Sequence, residues 1–289
     1  MKPTVLIFGA DGQLGADLAR SFSGTHNVVL STKDAVDITD AEQVRSCIEH
    51  AQPTLVVNSA AFTNVQDNEN RAAESFNVNA IGAFHVAGAC ARMSIPVMYI
   101  STDYVFDGNK ELYSESDIPH PVNIYGASKY AGELLSSVNP RTYIIRTSAL
   151  FGAHASGKGY NFVGKMLELG RQKDEIKVVD ELITSPTYTR DLAEKIHELI
   201  VRALPPGTYH ITNQGSCSWF DFAVEIMRQS GLHPRIVPIS AKEYAGSLVR
   251  PQKTVLENYE LKKMGMSLLP TWNDGLKRYL QEIGKYHAD

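Results

Sequence analysis

The sequence predicts an α/β protein, a doubly wound parallel sheet followed by a smaller C-terminal α/β lobe. Three observations predict it. Short runs rich in β-branched residues alternate with helical patterns through the first half of the chain. Those runs are apolar almost throughout, as strands covered by helices on both faces are. A glycine-rich turn also separates the first run from the first helical pattern, which is where open α/β sheets bring backbone N–H groups to a ligand.

Taken in order, Thr-Val-Leu-Ile-Phe at 4–8 reads as the first strand, and 13–22, with Leu14, Leu18 and Phe22 on one face, as the first helix. Strands follow at 27–30, 54–57, 97–100 and 142–145, each a compact aliphatic run. The intervening helices fall at 41–50, 70–91 and about 122–137. Beyond Phe151 the alternation loosens into a glycine-rich loop at 152–159, a strand at 176–179, a helix at 191–201 and a Leu204-Pro-Pro-Gly207 junction. The remainder mixes short strands with helices near 219–229 and 272–283. Residues 1–150 are therefore expected to form a Rossmann-like dinucleotide-binding domain, rejoined by about 176–203. Residues 151–175 and 204–289 are expected to form the lobe that closes over the carboxyl ends of the strands.

Composition narrows the function classes. A chain of 289 residues with 43% hydrophobic and 21% charged residues can bury a sizeable core and is not disordered. A net charge of -4 and a pI near 6.1 offer no basic field for nucleic acid, so a small molecule is the expected partner. No run of eighteen apolar residues predicts a membrane span. Cys47, Cys90 and Cys217 are odd in number and widely spaced, which argues against a disulfide framework or zinc site. Together with an opening segment that lacks the apolar core of an export signal, they predict a cytoplasmic protein.

The turn Gly9-Ala-Asp11-Gly12-Gln13-Leu14-Gly15 has the context of a dinucleotide site: it leaves a strand and opens a helix. Without side chains in the way, the backbone can approach a pyrophosphate while the helix N-terminus supplies donors. The second strand ends at Ser31-Thr-Lys33, where hydroxyls and a lysine tolerate a 2′-phosphate; this favours NADPH, while Asp34 keeps NADH open. Asp37 and Ile38 are expected to flank the adenine. Ala60, Ala61 and Thr63 end the third strand, where small residues let the backbone meet the cofactor.

Reducing a ketone needs a hydride donor, a hydrogen bond to the carbonyl and an acid for the developing alkoxide. Thr102 stands at the end of the fourth strand, and Tyr125 and Lys129 are four residues apart on one expected helix face. Thr102 and Tyr125 can supply the two polar contacts. Lys129 is expected to lower the tyrosine pKa and to hold the nicotinamide ribose. The same spacing at Tyr259 and Lys263 has no such hydroxyl upstream and reads as a solvated helix face. His154 and His210 lack a matching acid and read as bystanders.

With these motifs in place, the chain resembles an extended short-chain dehydrogenase/reductase, and more closely the dTDP-4-dehydrorhamnose reductase family. The resemblance is carried by 9–15, Asn58-Ser-Ala-Ala61, Asn77-Val-Asn-Ala-Ile-Gly82, Ser101-Thr-Asp-Tyr-Val-Phe-Asp-Gly108, Tyr125-Gly-Ala-Ser-Lys129, Arg146-Thr-Ser148, Ser185-Pro-Thr187 and Arg250-Pro251. It implies catalysis by Thr102, Tyr125 and Lys129, with Asp103 and Tyr104 lining the substrate pocket and Asn79 on the helix behind. Tyr104 stands where related dehydratases have glutamate, so reduction fits better than dehydration, and the loop does not match the serine-rich segment of epimerases. The implied reaction is NADPH-dependent reduction at C4 of a nucleotide-linked 4-keto-6-deoxy sugar.

Departures concern the sugar. Ala149 replaces a tryptophan usual in the family, and Thr184 a glycine. A lost aromatic removes about 150–250 Å² of contact, so a different nucleotide 4-keto sugar is the same-class alternative. A non-catalytic NADP-binding regulatory subunit is the alternative from another class. Arg250 is the candidate for the diphosphate, because a guanidinium fork matches phosphate oxygens; Asn161 is a further substrate candidate. Some relatives bind magnesium at a dimer interface, but only Asp17 matches and Arg190 falls where an acid is expected, so no metal is predicted. A homodimer remains open.

Overall fold

Alternate residues of the first strand feed opposite sides of the sheet, and this builds two cores from one run of apolar residues. In the computed structural model, which describes residues 2–154, 161–246 and 248–287, Val5 and Ile7 pack with Leu14, Leu18 and Phe22 of the helix Gln13–Ser23. Leu6 and Phe8 pack the other way, with Val44 and Ile48 of Ala41–Ala51 and with Val86, Ala87 and Cys90 of Ala83–Arg92. Helices therefore cover both faces. We label the first strands β1 (Thr4–Phe8), β2 (Asn27–Ser31), β3 (Leu55–Asn58), β4 (Val97–Thr102) and β5 (Thr142–Thr147). With Gly207–His210 they form a six-stranded sheet in the order Gly207–His210, β5, β4, β3, β1, β2. All five pairings are parallel. The doubly wound class expected from sequence is the observed one.

The order reverses at β1, which pairs with β2 on one side and β3 on the other. Such a switch point opens a crevice at the carboxyl ends of the strands. The turn after β1 lies there.

Two boundaries differ from the sequence expectation. The strand Glu175–Val179 pairs with Arg235–Ile239 and packs with Phe151, Val163, Phe222 and Leu276, so it belongs to the lobe rather than to the large domain. The segments that rejoin the large domain are the helix Thr189–Val201, whose Leu192, Ile196 and Leu199 enter the core beside β5, the strand Gly207–His210, and Leu261, Met266 and Leu269. The expected rejoining segment, 176–203, thus starts too early and ends too soon. Apolar periodicity is alike in both cores and does not say which one an element joins.

The single helix expected at 70–91 is broken. It begins earlier, at Val65–Asn70 under an Asn64 cap, kinks at Arg71 (φ −130°, ψ 49°), resumes at Ala72–Phe76, widens into a π-helical stretch at Asn77–Gly82 and continues as Ala83–Arg92. Within the π-helical stretch the Tyr99 hydroxyl donates to the Asn79 carbonyl at 2.8 Å, which gives that helix acceptor a partner outside the helix. Among the described residues, no helix is long and apolar enough to cross a membrane, and Cys47, Cys90 and Cys217 are free thiols. Most of the glycine-rich loop expected at 152–159 lies outside the described residues.

Candidate active site

The glycine turn is shaped by close approach. Gly9 has φ +72°, and a Cβ there would lie 2.6 Å from the Ala60 nitrogen; one at Gly15 would lie 2.2 Å from the Gly9 carbonyl oxygen. Neither position tolerates a side chain. The Gly9 and Ala10 N–H groups donate to the Ser31 carbonyl at 2.9 and 3.2 Å, which brings the ends of β1, β2 and β3 together. Gly12 is the N-cap of Gln13–Ser23, and no side chain caps that helix. Its first-turn N–H groups, including those of Leu14 and Gly15, are left without intrahelical partners. The Ser31 hydroxyl is buried without a partner. A bare helix N-terminus on a turn too tightly packed for side chains at Gly9 and Gly15, and an orphaned hydroxyl at the end of β2, fit a dinucleotide.

Other expected cofactor residues offer less. Leu14 is in the core, so only its backbone faces the turn. The Asp37 carboxylate accepts from the Thr39 N–H at 2.9 Å and hydroxyl at 2.8 Å, which holds its pKa low. Ile38 is buried against Gly82, and its carbonyl meets His85 Nδ1 at 3.1 Å. Ala60 and Ala61 are half-buried beside the turn, while Asp11 and Thr63 are exposed.

Thr102 closes β4, and Tyr125 and Lys129 lie in the helix Ile124–Ser136, whose N-terminus Asn123 caps by accepting from the Gly126 N–H at 2.9 Å. The Tyr125 ring meets that of Tyr104 edge-on at 5.6 Å. The helix carrying Tyr125 packs against β4, so Thr102 and Tyr125 lie on neighbouring elements. Lys129 is buried, donates to the Ile100 carbonyl at 2.6 Å and stands 4.1 Å over the Tyr99 ring.

The electrostatics differ from the sequence expectation. Burial pushes the Tyr125 phenol well above the ordinary tyrosine value; Thr102 opposes this, and Asp103 and Tyr104 add to it. Burial also lowers Lys129 to about 7, against the pull of Glu133. Burial thus disfavours the charged form of both groups, which weakens the pull that an ammonium would exert on the phenol.

Two expected substrate residues are committed elsewhere. Asp103 is 3% exposed. It accepts from Thr102 Oγ1 at 3.0 Å, from Ser148 Oγ at 2.7 Å and from Thr254 Oγ1. Asn161 caps Phe162–Gln172 through the Gly164 N–H at 2.8 Å, and its amide donates to the Gly152 carbonyl and Gln13 Oε1 at 2.8 and 3.1 Å. It pins the first helix to the lobe. Both residues thus have partners distant in sequence, which sequence spacing does not reveal.

Arg250 and Tyr104 do meet. Arg250 Nη1 donates to the Tyr104 hydroxyl at 3.1 Å, its guanidinium lies 5.3 Å from the Tyr244 ring centroid, and its Nε is buried without a partner. Ala149 has φ +44°, a left-handed conformation at the end of β5. His210 is wholly buried, as a bystander to the chemistry would be. Tyr259 is exposed, and Lys263 pairs with Glu260 on its own helix.

Sequence reasoning placed Asn79 behind the pocket but missed its contacts, and it missed Glu133 altogether. Asn79 Nδ2 donates to Ser128 Oγ at 3.0 Å and to the Phe62 carbonyl at 3.1 Å, while its Oδ1 accepts from the Phe62 N–H at 2.8 Å. It thus clamps the segment after β3 to the catalytic helix. Glu133 is buried, held by Arg146 at 2.9 and 2.7 Å and by Ser101 at 2.5 Å. Its position four residues after Lys129 was the available signal.

Comparison with known proteins agrees with this architecture. The family model described as the RmlD substrate binding domain matches residues 1–285. The spore coat polysaccharide biosynthesis protein SpsK of Bacillus subtilis (strain 168) is 41% identical, over 96% of this chain and 97% of its own. A dTDP-4-keto-6-deoxy-D-glucose reductase of Streptomyces niveus is 37% identical over 94% of each chain. The crystal structure of dTDP-4-dehydrorhamnose reductase from Bacillus anthracis str. Ames, a complex with NADP, superposes with a TM-score of 0.93 at 39% identity, covering 98% of this chain and all of that one. Its glycine turn, its Thr102–Tyr125 pair and a match along nearly its whole length place this chain in the dTDP-4-dehydrorhamnose reductase family.

Proposed function

We propose that this chain reduces the C4 ketone of dTDP-4-dehydro-L-rhamnose to give dTDP-L-rhamnose, with NADPH as the reductant. The observation that carries the reading is the uncapped glycine turn after β1, with the unpartnered Ser31 hydroxyl beside it, in one chain with Thr102 at the end of β4 and Tyr125 and Lys129 on the helix packed against that strand. Bound NADPH supplies the hydride. The turn 9–15 and Ser31 would hold its phosphates and ribose, with Ala60 and Ala61 beside them, and the remaining donors of Lys129 would hold the nicotinamide ribose. NADH would use the same cradle.

Tyr125 keeps its proton at neutral pH because burial disfavours the phenolate. It releases that proton only to an oxygen that becomes strongly basic, as the carbonyl oxygen does while charge develops on it. Thr102 would polarise the carbonyl, and Lys129 is anchored on the Ile100 carbonyl. Arg250 and Tyr104 offer the nucleotide sugar a guanidinium and a hydroxyl. The reaction is plain proton delivery beside a reductant, with no second acid required.

Purified protein incubated with NADPH and a panel of nucleotide 4-keto sugars tests the reading. Oxidation of NADPH with the dTDP-rhamnose precursor is expected. Turnover of another 4-keto sugar alone would shift the assignment to that sugar, a reading that Ala149 and the 37% identical reductase of Streptomyces niveus favour. Cofactor binding without turnover of any sugar would favour a regulatory subunit. Cytoplasmic residence and a homodimer belong to the same proposal; exposed Ile81, Phe84 and Leu134 support self-association, which light scattering tests.

A further inference from the structure

One buried amide serves two distant segments at once. Asn123 lies just before the helix that carries Tyr125 and Lys129. Its Oδ1 accepts from the Gly126 N–H at 2.9 Å, and its Nδ2 donates to the Val249 carbonyl at 3.2 Å, 126 residues away. An N–H only donates and a carbonyl only accepts, so the two partners fix which way the amide points. The residue after Val249 is Arg250, whose guanidinium donates to the Tyr104 hydroxyl. Tyr104 in turn lies against the first turn of the same helix: a Cβ at Gly126 would fall 2.1 Å from the Tyr104 carbonyl oxygen. Asn123 therefore holds Val249 by its carbonyl, Tyr104 holds Arg250 by its guanidinium, and both are braced on the helix of Tyr125.

From this geometry we propose that Asn123 is a positioning residue, whose amide ties the start of the catalytic helix to the Val249 carbonyl and so sets Arg250 where it meets the nucleotide sugar. A guanidinium rides on a long, rotatable side chain, and ordering it at the moment of binding weakens affinity; a backbone fixed beneath it removes part of that freedom before the ligand arrives. The Val249 side chain is 59% exposed and gives the segment little anchorage, which leaves the hold to its carbonyl. The helix end has a second support: Glu69 Oε1 accepts from the Ile124 N–H at 2.7 Å. The two halves of the Asn123 amide are therefore separable, the oxygen serving the helix and the nitrogen serving Arg250.

This role rests on the reductase reading, which NADPH oxidation by the wild type tests by itself. Asn123→Asp keeps the oxygen that caps the helix and loses the donor to Val249. It is expected to unfold in urea near the wild-type midpoint and to raise the sugar KM about fivefold or more, with kcat within about twofold. Once Arg250→Ala is present it is expected to add nothing, because Asn123 acts through that residue. Asn123→Ser, which caps a helix but is too short to reach Val249, is expected to repeat the result and serves if the aspartate variant does not fold. An unchanged KM in a folded Asn123 variant, or losses that add in the double variant, overturns the role. An unchanged KM in Arg250→Ala overturns it too, by removing Arg250 from the sugar. A loss confined to kcat also counts against it, since Asn123 would then set Tyr125 alone. If the wild type turns over no keto sugar, the reductase reading fails on its own. Crystals of a folded Asn123 variant then decide, a guanidinium displaced from the Tyr104 hydroxyl supporting the positioning role and one left in place excluding it.

Discussion

Arg250 reaches across 146 residues of sequence to place Nη1 3.1 Å from the Tyr104 hydroxyl, while its Nε is buried without a partner. A guanidinium with one satisfied edge and one buried, unspent donor is suited to an anion. Arg250→Ala is expected to raise the KM for the nucleotide sugar about tenfold or more with a smaller change in kcat. Arg250→Lys is expected to restore little, since a point charge does not reproduce the fork. Steady-state kinetics at fixed NADPH check both; an unchanged KM removes Arg250 from the substrate site.

Tyr125→Phe removes the proton donor and leaves the shape of the site nearly unchanged. Loss of kcat by about 10²–10⁴ is expected, the usual contribution of a positioned acid. NADPH affinity, followed by fluorescence titration, is expected to stay within a few-fold. Retained turnover in the variant would exclude Tyr125 as the acid.

Gly132 lets the catalytic helix lie against the π-helical stretch. A Cβ there would fall 2.2 Å from both the Asn79 carbonyl oxygen and the Tyr99 hydroxyl, a clash that the fully buried Tyr99 has little room to relieve. Gly132→Ala is expected to destabilise the protein by about 3 kcal/mol or more, at the upper end of overpacking costs. Urea unfolding measures it, and a midpoint equal to wild type would show that the helices can part at no cost.

His210 should make the fold acid-sensitive. Its Nδ1 meets the Tyr113 carbonyl at 3.1 Å and its Nε2 faces Arg146 Nη1 at 3.4 Å, so the neutral ring donates on one side and accepts on the other. Burial, with Arg146 beside it, lowers its pKa to about 3 from an ordinary 6.5. Below 6.5 the unfolded chain takes up a proton that the folded chain refuses. The contribution is therefore whole above pH 6.5 and is lost as pH falls toward 3, at about 1.4 kcal/mol per unit. Urea unfolding at pH 7, 6 and 5 is expected to show a steeper loss for wild type than for His210→Gln. Parallel slopes would mean that the imidazole is protonated in the folded protein.

Local signals in the sequence determined the repetition of strand and helix, the glycine turn at the end of β1, the hydroxyl at the end of β4 and the helical pairing of Tyr125 with Lys129. Each depends on neighbours within a few residues, through periodicity, capping or the absence of a side chain at Gly9 and Gly15. Only the tertiary structure decided which core claimed the strand Glu175–Val179, that Asp103 and Asn161 turn inward, that Arg250 arrives at Tyr104, and that burial drives the Tyr125 and Lys129 pKa values apart. Those outcomes turn on partners up to 151 residues away and on how much water the fold excludes. Desolvation and long-range hydrogen bonding belong to the assembled molecule, and no short window of sequence contains them.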